Sequence, residues 1–374
     1  MITNKKIMMI TTTDNMIWQF LIPHIKYLQQ QGNKVECVCS KTGFWFDELR
    51  DKYGFTMHEI DFARSPFKPQ NIKAYKQLIK LQEREKFDLV YCQQPVGGLM
   101  GRLIGKKFKL PVIYTAHGFA FLKGNNPLKN IVFKTVEKWL AKKTDVLITI
   151  NEDDFQASQN WKSKYKFKIS GIGFDINKYD NSDFDKEQFR ASLGLKDEFT
   201  IVTVAEFIKR KNYDTMLESV AELKDSNIKF LICGSGRDEQ EIKDKIKQLG
   251  IQDKVVLLGY RKDINKIMQV SDIFFLPSHQ EGLCLSIIEA LNFGLPIVTS
   301  SVRGCKDLVV DYGNGFVGDK DDHQYYARVI NKLIQNSELK AQMSEKSKQL
   351  APQYSIENVQ KQLEDIYNID LFNR

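Results

Sequence analysis

Short apolar runs alternate with longer amphipathic ones along most of the chain, and the alternation is played out twice. In the first half Lys6–Thr11, Lys34–Cys39, Phe87–Cys92, Pro111–Thr115 and Val146–Ile150 read as strands. Helical patterns such as Phe20–Gln31, Asn71–Glu85 and Gly97–Lys107 separate them. In the second half the strands are Thr200–Ala205, Ile228–Cys233, Val255–Leu258, Ile273–Leu276 and Ile297–Thr299, with helices at Tyr213–Leu223, Asp238–Leu249 and Leu283–Phe293. Strands joined by helices of this length form βαβ units and a mostly parallel sheet. The expected class is therefore α/β, with two doubly wound sheets facing a cleft. A length of 374 residues suits two such domains. The turn-rich Gly171–Asp175 ends the first domain, giving 1–175, then 176–355. The tail, Asp321–Leu371, is helical and polar-rich, and its last part, 356–374, is expected to pack back on the first domain.

Charge is uneven. Residues 1–175 hold 28 Lys and Arg against 16 Asp and Glu, a net of +12, whereas the rest of the chain carries −4. The first half should face something anionic: lipid, nucleic acid or a pyrophosphate-linked substrate. No run approaches the ~18 apolar residues of a spanning helix. Met1–Ile10 reads as a strand and not as a signal peptide. The six cysteines form no CxxC pair, which fits free thiols in a reducing compartment and argues against a zinc site. A Walker loop is absent, and GxGxxG is incomplete.

Two glutamates stand out in Ser271–Pro296. Glu281 follows a buried-strand pattern at a turn. Glu289 sits in an almost wholly apolar helix pattern, where an unpartnered buried carboxylate would cost several kcal/mol. Paired acids beyond a strand end suggest a polyhydroxylated ligand. Gly234-Ser-Gly236 follows another strand and precedes a helix. It is either an ordinary turn or a loop through which backbone amides approach a phosphate. Lys209-Arg210-Lys211 follows a third strand, and is either a solvated run or a phosphate-binding one. All three segments lie beyond strand ends of one sheet, the usual crevice of an open α/β fold. Together they favour a ligand with phosphates for the cations and hydroxyls for the carboxylates.

Glu281-x7-Glu289, Pro277-Ser278 and Phe293-Gly-Leu-Pro-Ile-Val-Thr-Ser300 resemble the signature of the retaining nucleotide-sugar glycosyltransferases of family 4, over essentially the whole chain. The resemblance implies the GT-B architecture, two Rossmann-like domains facing a cleft. By the same resemblance, Glu289 holds the ribose of a UDP-sugar donor and Glu281 lies near the sugar. The amides of Gly282, Leu283 and Cys284 contact sugar or diphosphate, and Lys211 neutralises the diphosphate. The arginine usual in this family is replaced by Glu206, so Arg210, and after it Lys209, would supply the second cation. A lone histidine is more often a packed or surface residue, but the place of His117 at a strand end before Gly118 reverses those odds, and by the resemblance it would orient the donor sugar near the transfer centre.

Asn151–Asp154 could touch the acceptor or cap the next helix. Thr11–Trp18 and Gln93–Gly98 read as cleft loops. Arg303 would contact a substrate phosphate or hold Asp307. The segment Asn126–Lys143 carries an apolar stripe of Leu128, Ile131, Val132, Val136, Trp139 and Leu140, bordered by Lys129, Lys134, Lys138, Lys142 and Lys143. It is either a core-packed helix with a solvated basic face or a helix lying on an anionic membrane, a reading favoured by Phe119, Phe121 and Lys123.

The resemblance thus implies a metal-independent hexosyltransferase that needs no cofactor beyond its UDP-sugar substrate. Its acceptor would be a glycan on polyprenyl diphosphate, in capsule or exopolysaccharide synthesis. The protein would be cytoplasmic and peripheral on the inner membrane face, and other polysaccharide-synthesis enzymes would be partners. A nucleotide-sugar epimerase or a phosphorylase-like enzyme is the alternative within this fold. A basic nucleic-acid-binding module ranks below both, because no helix-turn-helix, finger or RNP-like pattern occurs.

Overall fold

The structure is a computed structural model that describes residues 1–121, 126–177 and 184–370. Lys123 lies outside the described residues. The chain divides into two compact units, Met1–Gly173 with Ile356–Arg374, and Phe174–Ser355.

The first unit is built on seven strands: β1 (Lys6–Thr13), β2 (Lys34–Ser40), β3 (Thr56–Glu59), β4 (Leu89–Gln93), β5 (Val112–Ala116), β6 (Val146–Thr149) and β7 (Tyr165–Lys168). Every pairing is parallel, in the order β3-β2-β1-β4-β5-β6-β7. The central strands β4, β5 and β6 are buried at every position, as parallel strands covered on both faces must be. The edge strands β3 and β7 were not expected. Their sequences, Thr-Met-His-Glu and Tyr-Lys-Phe-Lys, are half-exposed and lack the apolar run that reveals a central strand. The helix Pro95–Phe108 lies unusually close to the sheet. A Cβ at Gly101 would fall 2.4 Å from Cys92 Cβ, and one at Gly105 would fall 2.1 Å from Val112 Cγ2. The expected helix Phe20–Gln31 is instead a π-helical turn, Ile17–Leu21, leading into an α-helix, Ile22–Gln30.

The terminal helix Ile356–Tyr367 belongs to this unit. Tyr27 Oη donates to Glu364 Oε1 at 2.7 Å, Ser170 N–H donates to Gln362 Oε1 at 2.8 Å, and Tyr367 is buried beside Tyr91 and Tyr27.

The second unit has six parallel strands: β8 (Phe199–Val204), β9 (Ile228–Cys233), β10 (Val255–Gly259), β11 (Ile273–Leu276), β12 (Ile297–Ser300) and β13 (Gly315–Gly318). Their order is β10-β9-β8-β11-β12-β13. Strand β13 was not expected, because its glycines carry no strand pattern. Gly315 is required there, since a Cβ would meet Ile297 O at 1.9 Å. The core joins Ile201, Phe230, Phe274, Phe275, Ile287 and Tyr326 from both faces of the sheet. Chain direction in the strand order reverses between β8 and β11. The connections leaving these neighbours run to opposite sides, which opens a crevice at their carboxyl ends.

Candidate active site

The crevice between β8 and β11 holds the three segments singled out in the sequence. After β8 the chain passes through Ala205–Ile208 into a 3-10 turn, Lys209–Lys211. Asn212 ends this turn in the left-handed conformation (φ 60°) and is pinned by its own amide, which donates to Pro277 O at 2.9 Å and to Lys320 O at 2.7 Å. The turn is thereby locked to the loop after β11, where His279 N–H also donates to Arg210 O at 2.8 Å.

Glu281 is the centre of this loop. Lys211 Nζ approaches Glu281 Oε1 at 2.6 Å, Arg210 Nη1 donates to Oε2 at 2.8 Å, and Ser278 Oγ donates to Oε1 at 2.8 Å. Ser278 is held in turn by Ser300 Oγ, which donates to Ser278 O at 2.7 Å. Burial by itself would raise the Glu281 pKa, but the Lys211 and Arg210 charges and the bonds from Lys211 and Ser278 bring it below the usual value. Burial opposes the charge on Lys211, and Cys284 and Glu281 outweigh it, so its pKa is raised. Glu281 and Lys211 are therefore an ionised pair, and the Arg210 guanidinium adds a second cation to the one carboxylate. Arg210 is 40% exposed at its side chain, whereas Lys211 is 11% exposed. Such a site has a surplus positive charge for a phosphate.

The structure corrects the expectation for the two glutamates. Glu281 is the buried acid, and Glu289, on the helix Leu285–Asn292, is only partly buried. The apolar neighbours Ile287, Ile288, Ala290 and Leu291 cover the inward side of that helix, which leaves position 289 toward its rim. Lys209 is drawn away from the cluster into an exposed pair with Glu241, so it does not stand beside Lys211. Glu206 is exposed.

Gly234 and Gly236 follow β9 and are explained by close packing. A Cβ on Gly234 would lie 1.9 Å from Ala205 O, and one on Gly236 would lie 2.5 Å from Phe207 O. Phe207 N–H donates to Ser235 O at 2.9 Å, and Asp238 N–H donates to Phe207 O at 3.1 Å. The glycine loop is thus zipped to the segment after β8. Gly282, Leu283 and Cys284 lead into the helix Leu285–Asn292 and are backed by another tight contact. Cys284 N–H donates to Gly304 O at 3.0 Å, and a Cβ on Gly304 would meet Gly282 O at 2.4 Å. Arg303, buried, donates from Nε to Glu281 O at 3.3 Å, while Asp307 Oδ2 accepts from Gly304 N–H at 2.8 Å. Sequence reasoning did not give Asn212, Ser278 or Ser300 these roles. Their signal is faint: small polar residues at the ends of buried strands.

His117 lies in the first unit, after β5. The oxygen of Gln93 accepts from Nε2 at 2.6 Å, which places the ring proton there and leaves Nδ1 as an acceptor. Burial, with a contribution from nearby His24, pushes its pKa down to about 4, so the ring is neutral near pH 7. Thr12 N–H donates to Gln94 Oε1 at 2.8 Å, and Gly97 N–H donates to Thr12 Oγ1 at 3.2 Å, closing the loops after β1 and β4. Asn151 caps the helix Glu152–Ser158 by accepting from Asp154 N–H, and buried Asp154 accepts from Phe119 N–H.

The family model for glycosyl transferases group 1 matches residues 185–350, and that for glycosyl transferase 4-like proteins matches residues 6–151. The chain is 30% identical to the putative glycosyltransferase EpsD of Bacillus subtilis, over 97% of this chain and 96% of that one. It is 27% identical to the UDP-Gal:alpha-D-GlcNAc-diphosphoundecaprenol alpha-1,3-galactosyltransferase of Escherichia coli, over 84% and 82%. Against the capsular polysaccharide biosynthesis glycosyltransferase CapM of Staphylococcus aureus the identity is 26%, over 98% and 97%. Among solved structures, Anabaena Alr3699/HepE in complex with UDP aligns at a TM-score of 0.82 with 19% identity, covering 96% of this chain and 98% of that one. The fold is GT-B, with its two Rossmann-like sheets. Matches to both halves and to a relative along nearly its whole length place the chain in the group 1, 4-like family: it is a glycosyltransferase.

Proposed function

We propose that this glycosyltransferase moves a hexose or N-acetylhexosamine from a UDP-sugar to a saccharide carried on polyprenyl diphosphate, in the synthesis of a surface polysaccharide. The observation that carries the reading is the Lys211–Glu281–Arg210 cluster at the switch point of the second sheet. The names of the E. coli and S. aureus relatives, a diphosphoundecaprenol galactosyltransferase and a capsule-synthesis enzyme, support the acceptor class.

In this reading negative charge grows on the departing diphosphate as the sugar becomes oxocarbenium-like. Lys211 and Arg210, fixed before the reaction by Glu281, stabilise that charge without reorganising. The Cys284 N–H is already given to Gly304 O, so the backbone of Gly282 and Leu283, with the loop of Gly234 and Gly236, completes the diphosphate cradle, and Glu289 accepts from the ribose hydroxyls. Neutral His117, in the first unit, is assigned to the donor sugar by the family resemblance alone. Cationic side chains take the place of a metal, and the new bond keeps the α configuration. The protein acts peripherally at the inner face of the cell membrane.

Purified protein, a panel of UDP-sugars and an undecaprenyl-diphosphate-linked amino sugar in detergent would test this. Transfer should occur in the presence of EDTA, with an α-anomeric product by NMR. Absence of transfer from every nucleotide sugar, together with absence of UDP binding, would overturn the reading. A β-linked product would overturn retention alone.

A further inference from the structure

The helix Pro127–Ala141 is turned the wrong way round for a core helix. Its apolar residues Leu128, Ile131, Val132 and Trp139 recur at helical spacing, yet they are 73%, 62%, 48% and 47% exposed. What the unit buries is the opposite side. Leu140 and Ala141 pack inward, and Glu137 makes a two-pronged pair with fully buried Arg102 at 2.7 and 3.2 Å. At about 100° per residue Glu137 stands opposite Leu128, so the ion pair itself fixes the apolar stripe outward. A second segment on this unit also exposes apolar side chains. Phe67 and Ile72 are 68% and 64% exposed, and the Phe67 ring lies 6.3 Å from that of Phe133.

The surroundings of this patch are cationic. Lys129, Lys134 and Lys138 are exposed along the helix, and Lys143 lies 3.3 Å over the Trp139 ring. Between Phe62 and Gln82 the sequence has five Lys and Arg and no acid. Lys143 has its pKa lowered by burial and by the neighbouring charges of Lys106, Lys142 and Arg102. Exposed aliphatic and indole side chains ringed by lysines match the boundary of an anionic bilayer: the apolar side chains enter the acyl edge and the lysines meet the headgroups. A second copy fits poorly, because a two-fold contact would bring the two lysine sets together.

We propose that the face formed by Leu128, Ile131, Val132 and Trp139 inserts into the headgroup boundary of an anionic bilayer and seats the enzyme where its acceptor lies. The placement rests on the membrane-linked acceptor proposed above, but docking is measurable without catalysis.

The full chain would be floated with vesicles of phosphatidylcholine alone or mixed with phosphatidylglycerol. Binding should require phosphatidylglycerol and weaken with salt. The I131S/W139S variant should lose at least tenfold in partitioning. Replacing Lys129, Lys134 and Lys138 with Gln should lose roughly fivefold per charge. Both variants should melt like the parent, bind UDP as tightly, and transfer to a short-chain water-soluble acceptor at the parental rate, while transfer to an undecaprenyl acceptor in vesicles falls. Vesicle binding unchanged in both variants would overturn the proposal. So would a parental dimer that I131S/W139S makes monomeric, with no vesicle binding. Docking with no transfer to any lipid-linked acceptor would sink the acceptor assignment and leave the docking face standing.

Discussion

Glu281→Gln isolates the charge that organises the second unit. Glutamine has nearly the same volume and can still accept the hydrogen bond from Ser278 Oγ, so packing is little changed. What is lost is the negative charge beside Lys211, whose side chain is 11% exposed against 7% for that of Glu281. Removing one partner of a buried pair costs about 3–5 kcal/mol, because the other charge stays buried and uncompensated. The Arg210 arm is 40% exposed and adds about 0–1 kcal/mol. A loss of about 3 kcal/mol follows, equivalent to roughly 6–12 °C for a unit of this size. Calorimetry on the full chain, supported by urea titration, would measure it. Lys211→Met in the Glu281→Gln background should recover most of the loss, since no unpaired charge remains. UDP should raise the transition of Glu281→Gln by more than that of the parent, because the diphosphate supplies the missing anion. A transition within about 2 °C of the parent would refute the reasoning. So would a double variant no more stable than Glu281→Gln alone.

Glu289→Ala should weaken UDP binding about ten- to hundredfold by titration calorimetry, the worth of a charge-assisted bond or two. Its thermal transition should move less than that of Glu281→Gln, because position 289 is only partly buried. Gly234→Ala forces a Cβ against Ala205 O and should cost roughly 2 kcal/mol or more, read in urea, with weaker UDP binding. The Glu281 pKa is lowered on folding, so its contribution is complete above the unfolded value of 4.5 and is lost as pH falls below it. The His117 pKa is also lowered, from 6.5 to about 4, so its neutral burial favours the fold above pH 6.5 and loses ground down to about 4. The stability of the parent relative to His117→Gln should therefore shrink between pH 7 and pH 5 in urea titrations.

Sequence alone determined the class of fold, because buried parallel strands write themselves as continuous apolar runs and the helices between them as amphipathic ones. Strands such as Ile228–Cys233 and Ile273–Leu276 were legible to the residue. Edge strands β3 and β7 were not, since half their side chains meet water and their cohesion comes from backbone pairing. The sequence also brought forward Glu281, Glu289, Lys211 and the glycine loop, as residue types out of place in their local patterns. Only the tertiary structure decided which glutamate is buried. That depends on the β8–β11 switch point, which brings Lys211 to Glu281 from 70 residues away in the chain. It also decided the orientation of the helix Pro127–Ala141. The apolar stripe was visible in the sequence, but whether a stripe faces core or solvent depends on what lies opposite. Here the partner of Glu137 is Arg102, 35 residues away and buried in another helix.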